Sequence, residues 1–229
     1  MSLIKMFCYM PRKAGITSQE FHDHWRHPHG TLGMKLETLC NFVQGHQIHS
    51  PLLGPDQSRY EGLVEVWFDN AADAADLAVH PLYQNVLVPD GTNFIDMENI
   101  GYIFTEEEIL VSGPNFRDQL SEADLAWRES EHPTTIKLIQ FIERDGSKPW
   151  DSDSDIELGR SIGAFRHVRC RPNAALHPDG ADYIGIRELW WPTLTAFSKG
   201  VTASPDAWRE MTSRPAAALS VLVQAERFV

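Results

Sequence analysis

The sequence has no apolar run of the roughly 18–20 residues that a membrane-spanning helix requires. Its N-terminal stretch is apolar for only a few residues and lacks the charged start and small-residue cleavage site of a signal peptide. Cysteine is scarce as well: Cys8, Cys40 and Cys170 form no CxxC pair, which favours free thiols over a disulfide framework. These absences predict a cytoplasmic globular protein with no membrane partner.

Positive charge is also in short supply, at 20 Lys+Arg against 32 Asp+Glu, which gives a formal net charge of −12. No Lys/Arg-rich run offsets this excess, and acidic proteins repel phosphate backbones, so we expect no nucleic-acid partner. The motifs GxGxxG, the P-loop, GxSxG and HExxH are missing. Nucleotide, flavin, serine-hydrolase and zincin functions therefore lack support, and we expect no cofactor.

The first half of the chain alternates short apolar runs with helical patterns. The apolar runs predict strands over residues 3–10, 42–48, 63–68 and 99–105. A helical pattern that includes Phe21 and Trp25 follows the first strand, and Pro28 and Gly30 are expected to kink or split this helix. The alanine-rich segment 71–83 predicts a second helix. The resulting order, β-α-β-β-α-β, is the ferredoxin-like plan.

The second half repeats this plan in outline. Its segment YIGIRELWW echoes the earlier segment YEGLVEVWF, and both Glu residues lie 23 positions after a strand-opening Phe. The two halves then align three pairs of residues, which are Lys5 with Lys137, Glu65 with Glu188, and Trp67 with Trp190. Shared order and equal spacing indicate an internal duplication.

We therefore predict an α+β protein with a first ferredoxin-like domain at residues 1–111, a linker at 112–132 and a second domain at 133–229. A ferredoxin-like half leaves one apolar sheet face bare, and packing the halves sheet to sheet as an intramolecular dimeric α+β barrel buries both faces. The second half is degenerate, since it is nine residues shorter near its first helix. Its acidic stretch 148–155 is expected to be a solvated loop.

The segment HDHWRHPHG places His22, His24, His27 and His29 within eight residues. A metal site is one interpretation, but the spacing differs from a helical zinc pair and no second cluster completes it. Exposed histidines on a broken helix are the simpler interpretation. A narrower one follows from the helix face: His29 shares a face with Trp25 and points inward, whereas His24 and His27 face water.

Two predicted strands carry polar side chains among apolar ones. The period of two puts Gln44 and His46 on one face, as in a mostly apolar small-molecule pocket. Glu65 and Trp67 share a face of the next strand, and a buried carboxylate needs a partner such as His46 or a backbone donor. An outward-facing charge at Glu65 and a hydrogen-bonded core histidine at His46 stay open as alternatives. Further pocket candidates, without a specific signal, are Tyr60, Tyr83 and Asp90.

The run EFHDHWRHPHGTL resembles the F-x-x-x-W-x-x-x-H-x-x-L helix of the EthD family, named for an ethyl tert-butyl ether degradation protein. NFVQGHQI resembles that family's following strand, and EVWFDNAADA resembles its third strand and second helix. The stretch from His80 through Phe94 to Thr105 resembles its closing segment. The resemblance covers about residues 3–110, and the second half fits the fold plan only.

The resemblance implies a dimeric α+β barrel with pockets between helices and sheet. Relatives with that fold include cofactor-free monooxygenases, muconolactone isomerases and polyketide cyclases or dehydratases. The family's motif histidines fall on His29 and His46, and its motif tryptophan falls on Trp25. A homodimer is one expected assembly, although fold alone does not assign function.

We therefore expect a small-molecule enzyme that acts on a hydrophobic carbonyl or lactone compound by proton transfer. His29 and His46 would be general base and acid, and Glu65 would orient a histidine. Expected substrate-binding residues are Trp25, Gln44, Tyr60, Trp67 and Phe94, and we expect no metal ligand. Isomerisation, dehydration and cofactor-free oxygenation use the same groups and stay open. The alternative is a non-catalytic binding protein or an accessory to a degradative oxygenase.

Overall fold

The structure is a computed structural model that describes residues 3–54, 57, 59–112, 134–143, 150, 152–212 and 217–228. Its strands are β1 (Ile4–Met10), β2 (Asn41–Gln47), β3 (Gly62–Phe68), β4 (Gly101–Ser112), β5 (Thr134–Ile142), β6 (Arg166–Pro172), β7 (Gly185–Trp191) and β8 (Ala217–Arg227). Its α-helices are α1 (Ser18–His24), α2 (Thr31–Gly33), α3 (Ala71–Asp76), α4 (Val88–Gly91), α5 (Ser154–Ser161), α6 (Leu194–Ala203) and α7 (Pro205–Thr212). Tighter or wider helical turns cover Trp25–Gly30, Leu77–Val79 and Tyr83–Leu87.

Each half follows the β-α-β-β-α-β order, and the strands form one closed antiparallel barrel in the order β1-β3-β2-β8-β5-β7-β6-β4. Each half contributes four neighbouring strands, and the halves meet where β2 pairs with β8 and β4 pairs with β6. These two seams pair the strand edges that each half would otherwise leave open. The predicted intramolecular dimeric α+β barrel, built from two ferredoxin-like halves, is confirmed.

Successive residues of a strand point to opposite faces, so the barrel has two separate buried environments. One is the barrel interior, where Phe7 and Leu63 pack against side chains of the second half such as Ile139. The other lies outside the barrel, where Val66 and its neighbours on the sheet pack against Phe21 and the other helical residues of the first half. A matching cluster lies beneath the helices of the second half. Which face a side chain takes therefore decides which site it can reach.

The last strand of the first half is longer than the sequence pattern predicts. β4 continues through the acidic residues 106–108 to Ser112, whereas the apolar run stops at Thr105. Glu107 is drawn into this strand because its carboxylate accepts a hydrogen bond from the buried Lys5 ammonium. The predicted linker lies, apart from Ser112, outside the described residues, and the domain boundaries stay a prediction.

The acidic stretch 148–155 is not simply a solvated loop, and that expectation is wrong at Trp150 and Asp155, which are buried. Helix α5 begins at Ser154, and the Asp155 carboxylate is fully buried against the guanidinium of Arg187. Trp150 packs against Gly185 of β7, where an added Cβ would come within 2.3 Å of the indole. A buried arginine needs a counter-charge, which explains why this acidic residue turns inward.

No helix among the described residues is long and apolar enough to span a bilayer.

Candidate functional site

A cavity of about 680 Å³, including its mouth, lies between the helices of the first half and the outer face of the barrel. Its wall is mainly apolar, and its lining residues are Met6, Cys8, Met10, Trp25, His29, Gly33, Leu36, Leu39, Phe42, Val64, Val66, Leu77, Tyr83, Leu87, Val88, Gly91, Ile95, Met97, Ile100 and Tyr102. A concave apolar site with a few polar groups is typical of small-molecule binding. The polar side chains in the wall are therefore the first candidates for chemistry.

The break in the first helix brings His29 into this wall. Helix α1 begins with a capping box in which Thr17 accepts from the Glu20 amide and Glu20 accepts from the Thr17 amide. The helical path is interrupted at His27, whose backbone is extended (φ −146°, ψ 121°) just before Pro28. The split expected from Pro28 is thus present, and the chain turns back into a helical conformation with His29 lining the cavity.

His29 forms a partly buried pair with Asp90 of α4. The His29 Nδ1 atom lies 2.8 Å from Asp90 Oδ2, and the two side chains are 15% and 17% exposed. His24 Nε2 lies 3.1 Å from the other carboxylate oxygen. Because a carboxylate only accepts hydrogen bonds, Nδ1 of His29 carries the shared proton and Nε2 keeps a lone pair.

The protonation state of His29 also suits a base. Burial lowers the pKa of His29 below its ordinary value of 6.5, and the hydrogen bond and charge of Asp90 oppose that shift only in part. The imidazole is therefore neutral at pH 7, with Asp90 fixing its tautomer. A histidine oriented by a carboxylate serves as a general base in many enzymes.

His46 lies elsewhere, so the expected pairing of His29 with His46 at one cavity is wrong. The His46 Nδ1 atom is 2.8 Å from His22 Nδ1, and the His46 ring packs 4.5 Å from the Trp25 ring, measured between centroids. Burial, together with nearby Arg26, lowers the pKa of His46 to about 2. His46 is not among the residues that line the cavity, and it matches the alternative of a hydrogen-bonded core histidine.

Glu65 also takes a different role from the one expected, because its strand face points into the barrel. Both Glu65 carboxylate oxygens accept from Lys137 Nζ at 2.9 Å, and Lys5 Nζ lies 2.7 Å away. Its partners among the described residues are therefore two lysines and the side chain of Glu188, and not a histidine. Trp67, on the same face, donates from Nε1 to Glu107 at 2.8 Å and is likewise remote from the cavity.

The barrel interior thus holds an ionic cluster whose members are fully buried except for the partly exposed Glu107. Lys5 Nζ lies 2.8 Å from Glu188 and 3.0 Å from Glu107, in addition to its contact with Glu65. Burial and the neighbouring charge of Glu65 raise the pKa of Glu188 to about 7. The lysine ammonium groups hold the pKa of Glu65 below its usual range despite burial. With Glu188 protonated, two lysines face two carboxylates and the cluster carries no net charge.

Of the remaining expected substrate-binding residues, one lines the cavity and three do not. Trp25 lines it, with its ring against β3 so closely that a Cβ on Gly62 would come within 2.5 Å. Phe94 does not line the cavity, but its ring packs against the His29 ring at 5.0 Å between centroids. Gln44 donates to the Trp25 carbonyl at 3.0 Å. Tyr60 lies inside the barrel mouth against Tyr9 and does not line the cavity.

The four clustered histidines do not converge on one point. His24 and His29 share Asp90, His22 contacts His46 and Glu61, and exposed His27 contacts only Thr31 among the described side chains. In the described part of the chain, one trio of metal-ligating side chains lies within 4.8 Å, which is Glu107, Cys170 and Glu188. The Lys5 ammonium already bonds both of those carboxylates.

Sequence reasoning named two further residues of the site but could not assign them a role. Asp90 was a candidate without a signal, because its partner His29 lies 61 positions earlier in the chain. Tyr83 was another, and its hydroxyl lies 3.0 Å from that of Tyr102, a residue that no pattern had singled out. Cys8 is buried, which raises the pKa of its thiol to about 12, and it also lines the cavity.

Comparisons with known proteins agree with this layout. Residues 13–98 match the EthD domain family, which confirms the resemblance seen in the sequence. A search of curated proteins found no match. The matched region contains both His29 and Asp90.

Solved structures with a similar fold extend over the whole chain. An anthrone oxidase-like protein is similar at a TM-score of 0.55 with 11% identity, covering 99% of this chain and 93% of that one. A candidate monooxygenase from Fusobacterium nucleatum gives 0.54 with 6% identity, covering 100% and 93%. A candidate chlorite dismutase gives 0.53 with 9% identity, covering 100% and 96%. At these identities the likeness concerns the fold.

Proposed function

We propose that this protein, which carries an EthD domain at residues 13–98, is a small-molecule enzyme that removes a proton from carbon next to a carbonyl group. Its substrate is a hydrophobic compound bound in the cavity between helices and sheet. The observation that carries the proposal is that His29, in the wall of a mainly apolar cavity, is hydrogen-bonded to Asp90 at 2.8 Å. His29 is the base, and Asp90 orients it.

The proton transfer follows from the two side chains. The C–H proton moves to Nε2 of His29, and the electron pair of that bond forms the enolate. Asp90 stabilises the imidazolium that results, since its carboxylate already accepts from Nδ1. Return of the proton to a different carbon gives isomerisation, and loss of a leaving group next to the carbanion gives dehydration.

The comparisons support an enzyme of this kind. Their names include an anthrone oxidase-like protein and a candidate monooxygenase. Oxygenation of an activated aromatic compound without a cofactor begins with the same proton removal. Proton abstraction is therefore the step that the competing reactions share, and it is the step to measure.

The proposal is tested with 2-tetralone, a bicyclic ketone with acidic C–H bonds, in D₂O. We expect the wild-type protein to bind 2-tetralone and to accelerate deuterium exchange at the carbon next to the carbonyl. The exchange is measured as the loss of the proton NMR signal of that C–H group. Val64→Phe, which adds an aromatic ring inside the cavity, should weaken 2-tetralone binding by at least about tenfold, equivalent to 1.4 kcal/mol, and lower exchange with it.

Val79→Phe is the matched control, because it makes the same change at a side chain that is 74% exposed. We expect its binding and exchange to equal those of the wild type. Binding of 2-tetralone with exchange at the buffer rate would instead identify a carrier protein. Equal binding by wild type and Val64→Phe would show that the ligand occupies another place.

A further inference from the structure

The cavity contains a second polar group, away from the His29–Asp90 pair. Tyr102 on β4 and Cys8 on β1 are directly opposite each other in the sheet, and both line the cavity. Tyr83, from the helical layer, closes the group, with its hydroxyl oxygen 3.0 Å from that of Tyr102. Helix and sheet therefore each supply one phenol to a single position in the wall.

The two phenols carry one more hydroxyl hydrogen than the hydrogen bond between them uses. The two phenols carry two hydroxyl hydrogens, and the bond between them uses one. The other described polar neighbour of Tyr102 is the thiol of Cys8, and sulfur is a weak acceptor. A carbonyl or enolate oxygen in the cavity is a better acceptor, so it can take the remaining hydroxyl hydrogen.

The charge state of this group points to the class of ligand. Burial raises the pKa of both Tyr83 and Tyr102, so that both hydroxyls remain protonated donors near neutral pH. Neither Lys nor Arg occurs among the described residues that line the cavity. A carboxylate entering here would lose its hydration without meeting a cation, which disfavours anionic ligands.

We propose that Tyr102 donates a hydrogen bond to the carbonyl oxygen of the substrate and that Tyr83 positions the Tyr102 hydroxyl. The substrates are then neutral, hydrophobic ketones able to form an enolate, and carboxylic acids are rejected. This inference rests on the proposed function. When His29 takes the C–H proton, negative charge develops on the carbonyl oxygen, and the Tyr102 hydroxyl stabilises it while the proton stays on Nε2 of His29.

The experiment compares wild type, Tyr102→Phe and Tyr83→Phe with three probes: 2-tetralone, its oxygen-free analogue tetralin, and the anion 2-naphthoate. Loss of one such donor lowers catalytic rates by about 10²–10³-fold, so Tyr102→Phe should lower the exchange rate of bound 2-tetralone by about that factor. Its affinity for tetralin should be unchanged, because tetralin has no oxygen to bind. Tyr83→Phe should give a smaller loss in the same rate, and 2-naphthoate should bind more weakly than 2-tetralone.

The pH profile separates the inference from the proposed function. Tyr102→Phe should keep the wild-type pH dependence of exchange, because His29 sets that dependence. If Tyr102→Phe exchanges 2-tetralone as fast as the wild type does, the role of Tyr102 is refuted and that of His29 is untouched. If the wild type binds 2-tetralone without accelerating exchange, the proposed function itself fails.

A measurement on the wild type alone covers the case in which Tyr102→Phe folds poorly. The infrared carbonyl band of bound, ¹³C-labelled 2-tetralone should shift to lower frequency than in hexane, because a hydroxyl donor weakens the C=O bond. A band at the hexane position would overturn the inference. Tighter binding of 2-naphthoate than of 2-tetralone would overturn the assigned ligand class.

Discussion

His29→Ala is expected to lower the rate of deuterium exchange into bound 2-tetralone by about 10²–10⁴-fold, the usual contribution of a general base. The reason is that His29 lines the cavity and Asp90 holds its Nδ1, which leaves the neutral Nε2 lone pair to act as the base. Affinity for 2-tetralone should change little, since His29 is one side chain in a mainly apolar wall. The measurement is the exchange rate at saturating ketone, together with a separate titration of binding.

His27→Ala is the control for this variant. It removes an exposed histidine from the same segment, one that bonds Thr31 and does not line the cavity. We expect wild-type exchange from it. Equal rates for His29→Ala and the wild type would refute the assignment of the base.

The pH dependence of the wild type adds a second readout. A base works in its deprotonated form, and burial places the pKa of His29 below 6.5. Protein-catalysed exchange should therefore be flat from about pH 7 upward, after correction for hydroxide, and should fall as the pH drops through the pKa of His29. A rate that rises through pH 7–9 would point to another base.

Glu65→Gln is expected to destabilise the protein by about 3–5 kcal/mol, the usual cost of breaking a buried ion pair. Lys137 makes both of its carboxylate hydrogen bonds to Glu65, and this ammonium is almost completely buried. The variant would leave it with no described carboxylate partner at hydrogen-bond distance. Urea unfolding at pH 6 measures the change, and a loss below about 1 kcal/mol would contradict the account of the ionic cluster.

Glu188→Gln is the matched control, since Glu188 aligns with Glu65 in the second half. Its pKa is raised from 4.5 to about 7, so at pH 6 the wild-type side chain is mostly the neutral acid. A neutral amide then replaces a neutral acid and avoids the proton uptake that folding of the wild type requires at this pH, so any loss should stay below about 1 kcal/mol. A loss as large as that of Glu65→Gln would show that Glu188 is ionised at this pH.

The stability of the wild type and that of Glu188→Gln should also depend differently on pH. A carboxyl group whose folded pKa is raised binds more protons in the folded state between pH 4.5 and about 7. Its contribution to stability is complete below pH 4.5 and declines as the pH rises to about 7, by at most about 1.4 kcal/mol per pH unit. Glu188→Gln lacks this decline and should gain stability relative to the wild type across that window.

Much of the fold follows from the sequence, because alternation and strand order are local signals. The period of two assigns Glu65 and Trp67 to one face, and the echo between the halves pairs Lys5 with Lys137. The partner of Glu65 did not follow, since Lys137 lies on a strand that comes near only after the barrel closes. A carboxylate and a lysine on opposite sides of a barrel carry no local signature.

The site was predictable in part for the same reason. The helix break at Pro28 and the face shared with Trp25 indicated that His29 points inward. Tertiary packing decides which helical residues cover each strand position. His46 is covered by His22 and Arg26, which the sequence pattern does not indicate. Asp90 belongs to a four-residue helix without a distinctive pattern, so its contact with His29 appears only in three dimensions.

The most direct test of the central claim is the protonation state and tautomer of His29. Long-range ¹H–¹⁵N correlation spectra of protein labelled with ¹⁵N-histidine, recorded at pH 7, report both, and the signals of His29 are those lost in His29→Gln. We predict a neutral ring with its proton on Nδ1, hydrogen-bonded to Asp90, and a bare Nε2. An imidazolium at this pH, or a ring protonated only on Nε2, would contradict the account.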